Sequence, residues 1–111
     1  IAVERISGQR LGDYFAEHIF GPLGMVDTAF GTTEANHARL VDAYQYQPGA
    51  AAKLLDAGPT SSLIKPARFD SGGGGLIGTL ADYHRFATML VNGGELGGAQ
   101  IVAPKTLALM T

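Results

Sequence analysis

Two clusters of glycine, at residues 72–78 and 93–98, constrain the fold of this chain more than any other feature. Sixteen of the 111 residues are glycine, which is about twice the usual share. No collagen-like repeat or sustained low complexity accompanies them. Because glycine interrupts helices and tolerates left-handed backbone, the clusters are expected to separate helices. They leave one uninterrupted segment between them, at residues 79–92.

This segment has the strongest helix signal in the chain. Thr79 is suited to cap the N-terminus, and Asp82 follows three residues later in the manner of a capping box. The residues at apolar helical spacing, which are predicted to face the core, are Tyr83, Phe86, Ala87 and Leu90. Asp82, His84 and Arg85 are then predicted to face solvent. The helix is expected to end at Asn92 and the glycines that follow.

Two further helices are predicted near residues 10–20 and from residue 104 onward. The first has an apolar stripe made of Leu11, Tyr14, Phe15, His18 and Ile19. Gly21 and Pro22 are expected to close it, and Pro104 suits the first turn of the second. Residues 40–46 are predicted to form a strand, and residues 47–69 an irregular loop. The fold class predicted is α+β, mainly helical, with residues 1–111 forming a single partial domain.

Composition narrows the possible partners. A net charge of −2 favours neither nucleic acid nor anionic lipid. No apolar run is long enough to span a bilayer, and the chain carries no recognisable signal peptide. With no cysteine, cysteine-ligated zinc is excluded and the compartment, periplasmic or cytoplasmic, is left open. His18 has no second ligand at metal spacing, so neither a metal nor a cofactor is predicted.

Two short motifs match known patterns but lack the context that those patterns need. Gly73, Gly75 and Gly78 satisfy G-x-G-x-x-G, but a charged, proline-containing segment precedes them where a dinucleotide site needs a buried strand. They are interpreted as a structural loop. Ser62 and Lys65 satisfy S-x-x-K, the nucleophile motif of penicillin-binding proteins. Since the next residue is Pro66, Lys65 is expected to leave the helical region, and the match is interpreted as chance.

A series of longer phrases resembles serine hydrolases related to class C β-lactamases, D-Ala-D-Ala carboxypeptidases and family VIII esterases. The phrases occupy residues 4–8, 19–30, 39–46, 71–79, 82–96 and 101–106. They follow one another in order along nearly the whole chain, and residues 50–69 form the largest part left unassigned. The resemblance implies that the chain is part of the helical lobe of a β-lactamase-like (serine transpeptidase-like) fold.

The phrases that carry catalysis in that family are missing from this chain. The S-x-x-K pair of the family lies well upstream of the matched segment. No tyrosine here has Asn two residues later, and Lys105-Thr106 is followed by Leu107 where the family has glycine. The resemblance therefore implies an internal segment of a hydrolase that cleaves small-molecule esters, amides or β-lactams through an acyl-serine intermediate. No catalytic residue is assigned to the segment, which is predicted to be inactive alone.

By the same resemblance, Gly73, Gly74 and Gly75 lie on the wall of the substrate cleft. Gly74 takes the place of a residue that is often aromatic in the family, so the cleft is expected to be wider, which favours bulky esters. The alternative is a non-catalytic binding or regulatory relative with the same fold. A free-standing helical interaction domain is a third possibility. The sequence upstream of the segment discriminates among these.

Helices that start and stop at the two ends of the chain have apolar faces without a partner in this sequence. The segment is therefore expected to self-associate or to bind the rest of its own chain. The residues predicted at that contact are Ala2, Val3, Ile6, Leu107 and Met110.

Overall fold

The computed structural model describes residues 2–65 and 68–111, which contain five α-helical segments and six short strands. The helices are α1 (Ala2–Ser7), α2 (Leu11–Phe15), α3 (Gly21–Leu23), α4 (Leu80–Val91) and α5 (Pro104–Met110). The strands are β1 (Ala29–Phe30), β2 (Ala43–Gln45), β3 (Lys53–Asp56), β4 (Leu76–Ile77), β5 (Glu95–Leu96) and β6 (Ala99–Gln100). They pair antiparallel as β1 with β4, β2 with β3, and β5 with β6. The α+β, mainly helical class is confirmed.

The helix predicted near residues 10–20 extends beyond its predicted end, to Leu23. A π-helical turn, Ala16–Phe20, joins α2 directly to α3, and the helix ends at Gly24, where φ is 65°. The prediction that Gly21 and Pro22 close the helix is therefore wrong. Pro22 lies in the first turn of α3, where a missing backbone N–H costs nothing.

The core lies where the α2–α3 helix packs against α4. Its buried members are Phe20, Leu23, Met25 and Met89, and both Leu23 and Met89 are inaccessible to solvent. Tyr83, predicted to face this core, is 69% exposed, whereas Asp82, predicted to face solvent, is 4% exposed. The prediction is therefore wrong for Tyr83 and Asp82, whereas Phe86 and Leu90 pack against the core as predicted. Asp82 tolerates burial because its carboxylate receives hydrogen bonds from the chain around β1.

The strand predicted at residues 40–46 is present at Ala43–Gln45, but its partner was not predicted. β3 lies inside the segment expected to be irregular, and its residues Lys53–Asp56 have no alternating pattern to reveal it. The β2–β3 hairpin is exposed along nearly its whole length, so its sequence shows no alternation of apolar and polar residues from a buried face. Two 3₁₀ turns follow, Gly58–Thr60 and Ser62–Ile64.

The end helices only partly match the expected contact surface. α1 buries none of its described residues, and Ile6 is 87% exposed. Leu107 is only 8% exposed because it packs within the chain itself, so its assignment to an intermolecular contact is wrong. Ile1 lies outside the described residues. Among the helices described, none has both the length and the apolar character needed to cross a membrane.

Candidate functional site

The glycine loop at residues 72–75 is held at its start by a buried carboxylate. Asp70, 7% exposed, accepts hydrogen bonds from Arg10 Nη2 and from the Gly12 N–H, both at 2.9 Å. A Cβ at Gly12 would lie 2.9 Å from Asp70 Oδ2, so a larger residue there would displace this carboxylate. Ser71 Oγ then accepts from the Gly73 N–H at 3.2 Å. The loop therefore starts from a fixed point on α2.

A cavity of about 330 Å³ opens beside this loop. Its walls include Gly74 and Gly75 of the loop, together with the side chains of Phe30, Leu63, Lys65, Arg68 and Phe69. Gly73, the third residue predicted to line the cleft, is not among its lining residues. A Cβ at Gly74 would meet nothing within 4 Å, so side-chain atoms can be added there without a clash.

Ser62 and Lys65 both line the same cavity, although their S-x-x-K spacing was interpreted as chance. Pro66, on which that interpretation depended, lies outside the described residues. Lys65 itself has φ −91° and ψ 143°, which is extended backbone, as expected of a residue before proline. Ser62 begins a single 3₁₀ turn. The α-helical turn that places the serine and lysine of a nucleophile motif together is therefore absent at this position.

A second cavity, of about 360 Å³, lies on the other side of Leu63, which lines both cavities. An ion pair stands at its edge, where Arg39 donates to both carboxylate oxygens of Asp27 at 2.8 and 3.1 Å. This hydrogen bonding holds the pKa of Asp27 below its ordinary value of 3.8 and raises the pKa of Arg39. Deeper in, the buried Ser61 hydroxyl donates to Asp56 at 2.5 Å.

Asp82 connects the second cavity to the core. Its Oδ2 accepts from the Asp27 N–H and from Thr28 Oγ1, each at 2.8 Å. Its own N–H donates to Thr79 Oγ1 at 3.2 Å, which is the predicted N-cap of α4. The predicted capping box is incomplete, because the Asp82 carboxylate accepts hydrogen bonds from Asp27 and Thr28, next to β1, instead of from the backbone N–H of Thr79. Asp82 fixes β1 against the first turn of α4.

Sequence reasoning missed the long-range partners of these carboxylates, since nothing local distinguishes Asp70 or Asp82 from a surface acid. The only available signal was the position of Asp82 in a capping pattern. His18, considered as a metal ligand and rejected, is exposed, and its ring lies 4.3 Å from that of Tyr14. Among the residues that the structure describes, no three potential ligands from His, Asp and Glu are grouped to hold a metal ion.

Comparisons with known proteins agree on one family. The family model described as Beta-lactamase matches residues 1–111. Protein Rv1367c of Mycobacterium tuberculosis is 31% identical over 110 residues, which are 99% of this chain and 27% of that protein. The lovastatin esterase of Penicillium rubens is 35% identical over 97 residues, which are 85% of this chain and 24% of the esterase.

A solved structure gives the same result for the fold. The crystal structure of a candidate β-lactamase from Bacteroides dorei superposes with a TM-score of 0.56 at 26% identity, covering 96% of this chain and 23% of the other. The chain therefore spans about a quarter of the length of the relatives that it matches.

Proposed function

The chain belongs to the Beta-lactamase family, and we propose that it is an internal segment of a serine hydrolase that cleaves esters, amides or β-lactams. In this proposal the serine nucleophile and its base lie in the remainder of the enzyme. The segment supplies part of the cleft wall through Gly74 and Gly75, and it has no hydrolytic activity alone. The intact enzyme forms an acyl-serine intermediate that water then releases.

One observation carries the proposal: the family model covers every residue of the chain, yet the Tyr-x-Asn and Lys-Thr-Gly motifs are missing from the sequence, and the S-x-x-K match at Ser62 and Lys65 lacks the α-helical turn that the motif needs. The share of about a quarter in each relative supports the same view. The open Gly74 position and the cavity beside it favour an ester with a bulky acyl or alcohol part. The similarity to an enzyme named for a bulky ester, lovastatin, points in the same direction.

The second candidate is a non-catalytic relative that keeps the fold and binds a small molecule in the same cleft. It is favoured only if the longer reading frame lacks both the S-x-x-K pair and the Tyr-x-Asn motif. The sequence of that reading frame therefore separates the two candidates before any assay.

The decisive experiment compares the purified 111-residue chain with the product of the full reading frame that contains it. The full product is expected to hydrolyse p-nitrophenyl butyrate, whereas the chain alone stays at the background rate. Nitrocefin, assayed in parallel, distinguishes β-lactam cleavage from ester cleavage. If the chain alone turns over either substrate and Ser62→Ala abolishes that activity, the nucleophile lies in this segment and the proposal is wrong.

A further inference from the structure

Two cationic side chains on the cavity beside the glycine loop have no anionic partner among the described residues. Lys65 and Arg68 both line this cavity, and its described lining contains no carboxylate. By contrast, two other arginines form ion pairs: Arg10 with Asp70 at 2.9 Å, and Arg39 with Asp27 at 2.8 Å. Lys65 and Arg68 give this cavity a positive potential.

The rest of the cavity is largely apolar. Phe30, Leu63 and Phe69 supply side chains, and Gly74 and Gly75 supply backbone without side-chain bulk. Phe69 is 71% exposed, which leaves an aromatic surface open to a ligand. A volume of about 330 Å³ holds roughly ten water-sized groups. The cavity thus fits a short apolar chain that ends in an anionic group.

We propose that Lys65 and Arg68 form a carboxylate-binding subsite, so that the hydrolase acts on esters or amides whose acyl part ends in a carboxylate. This inference rests on the proposed function, and it specifies the substrate class of the same cleft. The hydroxyls of Ser62 and Ser71 also line the cavity. We assign the anion as a carboxylate because the apolar side chains beside the two cations suit the carbon chain of an acyl group, and the planar guanidinium of Arg68 matches two carboxylate oxygens.

The test uses two p-nitrophenyl esters of equal acyl length with the product of the full reading frame. One is mono-p-nitrophenyl glutarate, which carries a terminal carboxylate, and the other is p-nitrophenyl pentanoate, which carries a methyl group there. The readout is the ratio of kcat/KM for the acidic ester to that for the neutral one. Because both cations are exposed, Lys65→Gln and Arg68→Gln are each expected to lower this ratio about threefold, and together about tenfold.

Two controls separate the subsite from general charge effects. Lys105→Gln makes the same change of charge on α5, away from the cavity lining, and is expected to leave the ratio unaltered. Raising the ionic strength from about 0.05 to about 0.5 M is expected to lower the ratio in the wild type, because salt screens exposed charges. The double variant is expected to lose most of this salt dependence.

The outcomes distinguish a failed subsite from a failed function. If both esters are hydrolysed and the double variant keeps the wild-type ratio, the subsite is wrong and the hydrolase proposal stands. If neither ester is hydrolysed, calorimetric titration with glutarate decides the subsite alone: weaker binding to the double variant than to Lys105→Gln supports it, and equal binding refutes it. Inorganic phosphate is titrated in the same way. If phosphate binds more tightly than glutarate, the assignment to carboxylates is wrong.

Discussion

Removal of the Asp82 carboxylate is expected to be among the most destabilising polar substitutions in the chain. The side chain is 4% exposed and lies in the first turn of α4. It is the acceptor for two donors more than fifty residues away, the Asp27 N–H and Thr28 Oγ1, both at 2.8 Å. Asp82→Ala deletes that acceptor and leaves both donors in a partly buried place.

The magnitude follows from these contacts. A hydrogen bond to a charged group contributes about 1.5–3 kcal/mol, and partly buried donors regain some of that from water. Asp82→Ala is therefore expected to lower the free energy of unfolding by about 3 kcal/mol. Asp82→Asn keeps an oxygen at the same place but loses the charge, so about 1 kcal/mol is expected. For a chain of this size, 3 kcal/mol corresponds to a fall in Tm of about 12–20 °C.

Urea denaturation followed by circular dichroism measures these differences, with unchanged m-values as the condition for comparing them. Asp13→Ala is the matched control, because Asp13 is an exposed acid in the first turn of α2. Asp13→Ala removes the same favourable interaction of an acid with a helix N-terminus, worth about 0.5 kcal/mol, but it removes no hydrogen bond to a distant part of the chain. Combining Asp82→Ala with Thr28→Val is expected to cost about 1.5 kcal/mol less than the sum of the two, since they share one bond.

Two results would refute this reasoning. If Asp82→Ala is no more destabilising than Asp13→Ala, the contacts with Asp27 and Thr28 do not stabilise the fold. If Asp82→Asn is as destabilising as Asp82→Ala, the loss comes from the charge alone and not from the position of the acceptor oxygen.

Three further predictions test other parts of the molecule. Gly58→Ala is expected to lower the free energy of unfolding, measured by urea denaturation, by about 3 kcal/mol, because a Cβ there would overlap a neighbouring backbone carbonyl. Gly72→Ala is the control: a Cβ there meets nothing within 4 Å, so the change is expected to be less than about 0.5 kcal/mol. Equal effects of the two substitutions would contradict the packing at Gly58. The carboxyl ¹³C resonance of Asp27 is expected to titrate below pH 3.8 and to return towards that value in Arg39→Gln. Since the folded pKa is depressed, the stability from this pair is present above pH 3.8 and is lost as the pH falls through the folded pKa; an unshifted titration in the wild type would contradict it. Gly74→Tyr in the full hydrolase is expected to lower kcat/KM for a bulky ester about threefold more than for an acetate ester, because the added ring narrows the cleft; equal losses would place residue 74 away from the substrate.

The sequence predicted those helix starts and ends that depend only on a few neighbouring residues. The cap at Thr79, the left-handed glycines after α4 and the proline that begins α5 are each determined within a few residues, and the structure has all three. The same reasoning misplaced the end of the α2–α3 helix, since Gly21-Pro22 has the composition of a helix stop. A proline ends a helix only when it lies beyond the first turn. The sequence alone did not reveal that Pro22 lies at the start of a further helical segment, α3.

The burial of Asp82 shows why the site was less predictable than the fold. A hydrophobic pattern assigns a carboxylate to solvent, and that assignment fails when donors from a distant segment of the chain compensate its desolvation. Those donors lie at residues 27 and 28, and no spacing rule relates them to residue 82. The cavity beside Gly74 presents the same difficulty, because its walls come from three separate parts of the chain. The resemblance to a family pointed to Gly74 and Gly75, which line this cavity, whereas the residues alone gave no such signal.

The two buried carboxylates together explain how a loop made of glycine forms one wall of a cavity. Asp70 ties the start of the loop to α2, and Asp82 ties the helix that follows it to β1. Between these two anchors the loop has little side-chain packing of its own, and its position is determined by bonds at both ends. A substitution at Gly74 therefore changes the shape of the cavity without breaking a contact that stabilises the fold, whereas a change at either carboxylate does the reverse. In the proposed hydrolase, this separation allows the substrate preference to change while the helical body stays the same.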